Sequence, residues 1–139
     1  MRRAPPAVMV DDQRSIARAL APGLPVTLLS PPGFVLYAGA PWWLALLASA
    51  SFTGFSLLDC GDAAGRALEA LRIGLRGIIL SAEPLIFDQI AAIARESHAQ
   101  VLATPPPSFD ATQNRNDAEL RHWLTDPALP GAGLTGAQN

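Results

Sequence analysis

The amino-acid sequence predicts a single α/β domain: five strand–helix units whose parallel sheet has helices on both faces, in three layers. Four apolar, β-rich segments predict it, because each ends in a small polar residue and is followed by a turn and a helical pattern. None alternates polar and apolar residues, as expected of strands covered on both faces. The segments are VTLLS (26–30), SLLD (56–59), GIILS (77–81) and QVLAT (100–104). The last three end at residues 59, 81 and 104, a spacing that accommodates one short strand–helix unit each time.

The remaining elements follow from shorter patterns. AVMV (7–10) is predicted as a fifth strand. Asp62 is a candidate helix cap, Pro41 fits a first helical turn, and an apolar stripe of Ile86, Ile90, Ile93 and Ala94 predicts a further helix. Helices are therefore predicted over 12–20, 41–50, 62–74, 83–97 and 116–124. Right-handed crossovers close such a string as a flavodoxin-like open sheet. A fragment of a (βα)8 barrel is the alternative, since the chain is too short for a whole one.

Length and composition indicate one domain with a real core. The chain has 139 residues, half of them apolar. We expect the domain to cover residues 1–124, with a linker over 105–116 before the last helix and a flexible tail over 125–139. That tail is rich in Gly, Pro and Ala.

Charge and cysteine content exclude several classes of function. The net charge of −2 gives no electrostatic footprint for nucleic acid or an anionic membrane. All ten basic residues are arginine, which excludes mechanisms that need a lysine, such as Schiff-base aldolases, PLP enzymes and P-loops. One cysteine cannot form an internal disulfide, and no signal peptide is evident, so we expect a cytoplasmic protein.

The segment from Ala19 to Leu58 contains no charged residue. A solvated surface of that length normally carries charges, so most of this segment is expected to be hidden. A membrane span is the alternative, but Pro31, Gly39 and Pro41 interrupt the run. Neighbouring helical residues point about 100° apart, so one of the adjacent tryptophans is expected in the core and the other at an interface. We expect a homodimer, with these interface residues: Phe34, Leu36, Tyr37, Trp42, Trp43 and Leu47.

Polar residues follow the predicted strands at the edge where parallel sheets bind ligands. They form a candidate ligand-binding set: Asp11, Asp12, Ser30, Asp59, Cys60, Ser81 and Thr104. The aspartates are candidate Mg²⁺ ligands, although Asp11 or Asp12 also suits a helix cap. Cys60 precedes a helix but lies beside Asp59, which disfavours a thiolate, so a buried, inert cysteine is the alternative. No catalytic residue, metal site or cofactor is assigned.

In outline the chain resembles response-regulator receiver domains. Such domains carry an acidic pair after strand 1, a phosphoacceptor aspartate after strand 3, a Ser or Thr after strand 4 and a lysine after strand 5. The matching positions are Asp11-Asp12, Asp59, Ser81 and Thr104. Since Thr104 stands where the lysine belongs, the resemblance implies a degenerate receiver.

Residues 25–80 also resemble a group of small bacterial α/β proteins without a known activity. The shared segments are VTLLS-PPG, YAG-x-x-WW and LDCGDA. This resemblance supports the fold and implies no mechanism. The sequence therefore favours a non-catalytic homodimeric interaction domain. The alternative is a small-molecule or Mg²⁺-dependent enzyme that uses the strand-end aspartates.

Overall fold

A computed structural model describes residues 4–113 and 116–125, which fold into six strands and six helices. The strands are β1 (Ala7–Met9), β2 (Thr27–Leu29), β3 (Ser56–Asp59), β4 (Gly77–Ile79), β5 (Gln100–Leu102) and β6 (Ser108–Asp110). The helices are α1 (Gln13–Leu20), α2 (Phe34–Tyr37), α3 (Ala40–Ser49), α4 (Ala64–Arg72), α5 (Pro84–Glu96) and α6 (Asp117–Thr125).

All six strands pair in parallel, in the order β5-β4-β3-β2-β1-β6. This confirms the predicted single α/β domain with a parallel sheet, and it is consistent with a flavodoxin-like three-layer fold. From β1 to β5 each strand lies beside its predecessor in the chain, and β6 then returns to the free side of β1. The order in which strands are added to the sheet therefore reverses at β1, and a junction lies between the ends of β1 and β6.

The side chains of the strands divide into two cores because successive residues point to opposite faces. One face carries Val8, Leu28, Leu58, Ile78 and Phe109, and these pack into a large cluster to which every helix contributes. The opposite face carries a small cluster of Leu29, Leu57, Ile79 and Leu102, packed with Ala4 and Phe55. Both faces of the inner strands β2, β3 and β4 are thus buried, which explains why their sequences do not alternate.

The main differences from the predicted elements lie in short segments. β6 occupies the middle of the predicted linker over 105–116, and the helical turn α2 was not predicted. Asp62 does not cap α4: its N-cap is Ala63, which has no capping side-chain hydrogen bond. Ile93, predicted on the buried stripe of α5, is 44% exposed. Of the predicted tail, residues 126–139 lie outside the described part of the chain.

Candidate functional site

Two regions hold the residues singled out from the sequence: the carboxyl edge of the sheet and the surface of α2 and α3. At the edge, Ser30 and Asp59 are buried and joined to one another. The backbone N–H of Asp59 donates to Ser30 Oγ at 2.8 Å, and the N–H of Gly61 donates to Asp59 Oδ1 at 2.9 Å. Burial raises the pKa of Asp59, and the bond from Gly61 offsets part of that effect. This pair fixes the end of β3 to the end of β2.

Asp12 is the N-cap of α1. Its Oδ1 accepts from the backbone N–H of Ser15 at 2.7 Å, and Ser15 Oγ in turn accepts from the N–H of Asp12 at 3.1 Å. These hydrogen bonds lower the pKa of Asp12. The pKa of the neighbouring Asp11 is raised, first by burial and then by the charges of Asp12 and Asp110. The structure thus brings Asp11 and Asp12 together with Asp110.

The other three residues of the predicted ligand-binding set differ in exposure. Cys60 is buried, and burial together with the charge of Asp59 raises the pKa of its thiol to about 12. It is therefore protonated and inert near neutral pH. Ser81 is exposed, and its backbone N–H donates to Gly61 O at 2.7 Å. Thr104 is exposed on the segment after β5.

A cleft of ≈ 600 Å³ lies at the junction between β1 and β6. Arg18 lines this cleft and connects α1 to the segment after β6. Its guanidinium donates to the carbonyl oxygens of Ala111 at 3.1 Å and Gln113 at 2.8 Å, and it lies 3.5 Å from the Asp117 carboxylate. The cleft has a mixed charge, and it is lined by Asp11, Asp12, Arg14, Ser15, Arg18, Ala111, Thr112, Gln113 and Asp117. No sequence pattern marks Arg14, Arg18 or Thr112, which meet the acidic pair only because β6 returns beside β1.

The aspartates do not assemble a metal site. Over residues 4–113 and 116–125, no group of three or more His, Cys, Asp or Glu side chains is placed to hold a metal ion. Asp11 and Asp12 line the cleft and Asp110 lies near enough to raise the pKa of Asp11, whereas Asp59 accepts a hydrogen bond from Gly61 within its own turn.

The second region is an exposed apolar area on α2 and α3, here called the α2–α3 surface. Its four large side chains are Leu36, Tyr37, Trp42 and Leu44, which are 64%, 72%, 56% and 38% exposed. Of the six residues predicted at an interface, three are among them. Leu44 was missed because nothing in an uncharged helix marks its outer side.

The other three predicted interface residues, Phe34, Trp43 and Leu47, lie inside the monomer. The Phe34 and Trp43 rings meet edge to face, with centroids 5.5 Å apart. Trp43, Leu46 and Leu47 share one side of α3 and pack into the large core. These residues therefore lie in the core below the α2–α3 surface and fix α2 and α3 to the sheet.

A groove of ≈ 520 Å³ adjoins this surface at the amino ends of β3, β4 and β5, here called the strand-end groove. Leu44 and Ala48 of α3 form one wall. Phe52, Phe55 and Leu75 give it an apolar lining, and the rim carries Arg76, His98 and Gln100.

No protein-family model matches the chain, and no curated protein sequence matches it significantly. Among the described residues, no helix combines the length and the apolar character that a membrane span requires.

Proposed function

We propose that this protein is a non-catalytic interaction domain that forms a homodimer through the α2–α3 surface. The observation that carries the proposal is the exposure of Leu36, Tyr37, Trp42 and Leu44 within an uncharged segment. Single exposed apolar residues are common, but four large ones within nine positions of an uncharged segment are typical of a protein interface.

The size of the patch fits a dimer contact. At these exposures the four side chains present roughly 500 Å² of accessible surface, given about 150–250 Å² for a large aromatic side chain. A stable interface buries about 800 Å² on each partner. The adjoining exposed residues Pro41, Ala45 and Ala48 lie on the same face of α3 and supply further apolar area.

A second copy of the chain is the partner that best suits this surface. Because the patch contains no charged residue, it offers no ionic contact to an acidic or basic partner. Two-fold dimers, the commonest assemblies, bring the same patch of both subunits together. An exposed aromatic residue is the usual energetic hot spot of such a contact, and Trp42 is the one that α3 supplies.

The proposal is tested by light scattering of the wild-type protein and two single variants at micromolar concentration. We expect a dimer for the wild type and a monomer for Trp42→Asp, because a carboxylate cannot be buried in an apolar contact without a partner. Leu85→Asp is the matched control, since Leu85 is 67% exposed on α5, away from the patch. It should remain a dimer.

Two results would contradict the proposal. One is a wild-type protein that stays monomeric at 100 µM. The other is a dimer that Leu85→Asp disrupts and Trp42→Asp leaves intact, which would move the interface to α5.

A second candidate function is small-molecule binding in the cleft between β1 and β6. The observation that favours it is the position of the cleft, since open parallel sheets bind ligands where the strand order reverses. A thermal-shift screen with Mg²⁺, nucleotides and acyl phosphates tests it. A rise of several degrees with one compound would favour binding, and an unchanged melting temperature throughout would argue against it.

A further inference from the structure

We propose that the strand-end groove is the receptor for Trp42 of a second copy, so that each subunit inserts one indole ring into the other. This inference rests on the homodimer proposed above and specifies which contact forms it. The groove and the tryptophan lie on opposite flanks of the same helix, α3. The groove is concave and apolar, and the indole ring protrudes and is apolar, so the two are complementary.

The groove is suited to an aromatic side chain. Its floor and walls contain two aromatic rings, Phe52 and Phe55, and the aliphatic side chains of Leu44 and Leu75. Its volume of ≈ 520 Å³ lies within the range of pockets that hold ligands larger than an indole ring. The polar rim of Arg76, His98 and Gln100 includes the Gln100 amide oxygen, which can accept a hydrogen bond from an indole N–H.

Trp42 cannot fill the groove of its own subunit. Ala48, on the groove wall, lies six residues further along α3, which is about 9 Å along the helix axis and about 120° around it. The indole ring is 56% exposed on the other flank. An apolar groove and an apolar ring that cannot meet within one chain are able to meet between two chains.

The two contacts are related by symmetry. In a two-fold dimer, Trp42 of one subunit enters the groove of the other, and the reverse contact forms at the same time. Ala45 lies on the exposed face between the two flanks, and its small side chain permits close approach of the helices around the axis. The contact therefore pairs position 42 of one subunit with position 48 of the other.

A charge-pair experiment tests this pairing. Trp42→Asp removes the ring, and Ala48→Arg places a long cation at the groove wall, so each variant alone should be monomeric at a concentration where the wild type is dimeric. When the two variants are mixed, we expect heterodimers. In the mixed dimer, Trp42 of the Ala48→Arg subunit meets the unchanged groove of the Trp42→Asp subunit. At the second contact, the introduced carboxylate faces the introduced guanidinium. These variants are measured by sedimentation velocity and native mass spectrometry.

The controls separate this inference from the proposed function. Ala17→Arg makes the same change at an exposed position of α1 and should leave the dimer intact. Trp42→Arg with Ala48→Glu repeats the pairing with reversed charges, in case one variant folds poorly by circular dichroism.

If the wild type is a dimer and Trp42→Asp a monomer, but Ala48→Arg stays dimeric or the mixture forms no heterodimer, the groove is not the receptor and the homodimer still stands. A monomeric wild type would instead refute the proposed function itself.

Discussion

At the residue scale, replacing either of two glycines with alanine should change stability in opposite directions, although both lie at the start of a regular element. A Cβ atom added to Gly77 in β4 would clash with Ser56 O and lie 2.9 Å from the Phe55 ring. A Cβ on Gly65 in α4 would meet nothing within 4 Å. Gly77→Ala should therefore cost about 1–3 kcal/mol of unfolding free energy through overpacking. Gly65→Ala should add about 0.5–1 kcal/mol, because alanine favours a helix.

Urea denaturation of the two variants measures these changes. A Gly77→Ala protein as stable as the wild type would mean that β3 and β4 tolerate wider separation than the structure shows. Because the two expected changes in unfolding free energy have opposite signs, the pair of variants is informative even if both changes are small.

Asp59 should make stability depend on pH, in the opposite direction to Asp12. Burial raises the pKa of Asp59 in the folded state above the ordinary value of 3.8, so its contribution is greatest at low pH and is lost as the pH rises through the folded pKa. Asp59→Asn keeps an oxygen for the Gly61 N–H and removes the buried charge. We expect it to stabilise the protein at pH 7 and to make little difference at pH 3.

The matched variant is Asp12→Asn. Because hydrogen bonds lower the folded pKa of Asp12 below 3.8, its charge contributes stability at neutral pH that is lost as the pH falls. Chemical denaturation across pH 3–7 should therefore show a penalty for Asp12→Asn that shrinks as the pH falls from 4 toward 3. If Asp59→Asn instead lost stability at pH 7, the carboxylate would have an interaction partner that requires its charge.

The two tryptophans illustrate how far sequence reasoning reaches at this scale. Helix geometry requires Trp42 and Trp43 to point in different directions, and the structure agrees. Which one is buried could not be predicted, because α3 contains no charged residue to mark its outer face. The choice depends on Phe34, which precedes the helix and packs against Trp43.

At the element scale, three helices end in the same way with three different residues. In α3, α4 and α5 the left-handed residue after the cap is Ser51, Gly74 and His98, with φ of 53°, 99° and 60°. The N–H of the next residue donates back to the fifth carbonyl before it: Phe52 to Leu47 at 3.0 Å, Leu75 to Ala70 at 3.1 Å and Ala99 to Ala94 at 2.8 Å. These are Schellman motifs, and glycine is the residue that adopts this conformation without strain.

Replacing Ser51 or His98 with glycine should therefore stabilise the protein by about 0.5–1 kcal/mol, the relief of strain exceeding the added chain entropy. Gly74→Ala should destabilise by about 1 kcal/mol through backbone strain alone, since a Cβ there meets no atom within 4 Å. Thermal unfolding of the three variants measures both directions. A destabilised His98→Gly would indicate that the imidazole makes a contact worth more than the strain.

The elements that sequence predicted well are those with a strong local signal. The four apolar segments and the helices after them have clear composition, and all of them form. The turn α2 and the strand β6 have no such signal: β6 contains only Ser108, Phe109 and Asp110 after three prolines, and it is a strand because β1 offers it an unpaired edge. A neighbour distant in sequence thus decides the structure of that segment.

At the scale of the whole molecule, the position of β6 determines which candidate site exists. The sequence pattern predicts that the polar strand ends share one edge of the sheet, with Asp59 near Asp11 and Asp12. The return of β6 to β1 instead groups Asp11 and Asp12 with Asp110, Thr112 and Arg18. Strand order is a property of the complete sheet, and no local pattern in the chain encodes it.

The dimer proposed here should respond to salt as an apolar contact does. Its patch contains no charge, so screening by NaCl between 0.05 and 0.5 M should leave the dissociation constant nearly unchanged. Ammonium sulfate should strengthen association, because sulfate is excluded from apolar surface, and cooling should weaken it. Calorimetric dilution should also give a negative heat-capacity change on association. Dissociation by moderate NaCl would place ion pairs in the interface, and would therefore move it away from α2 and α3 to a charged face.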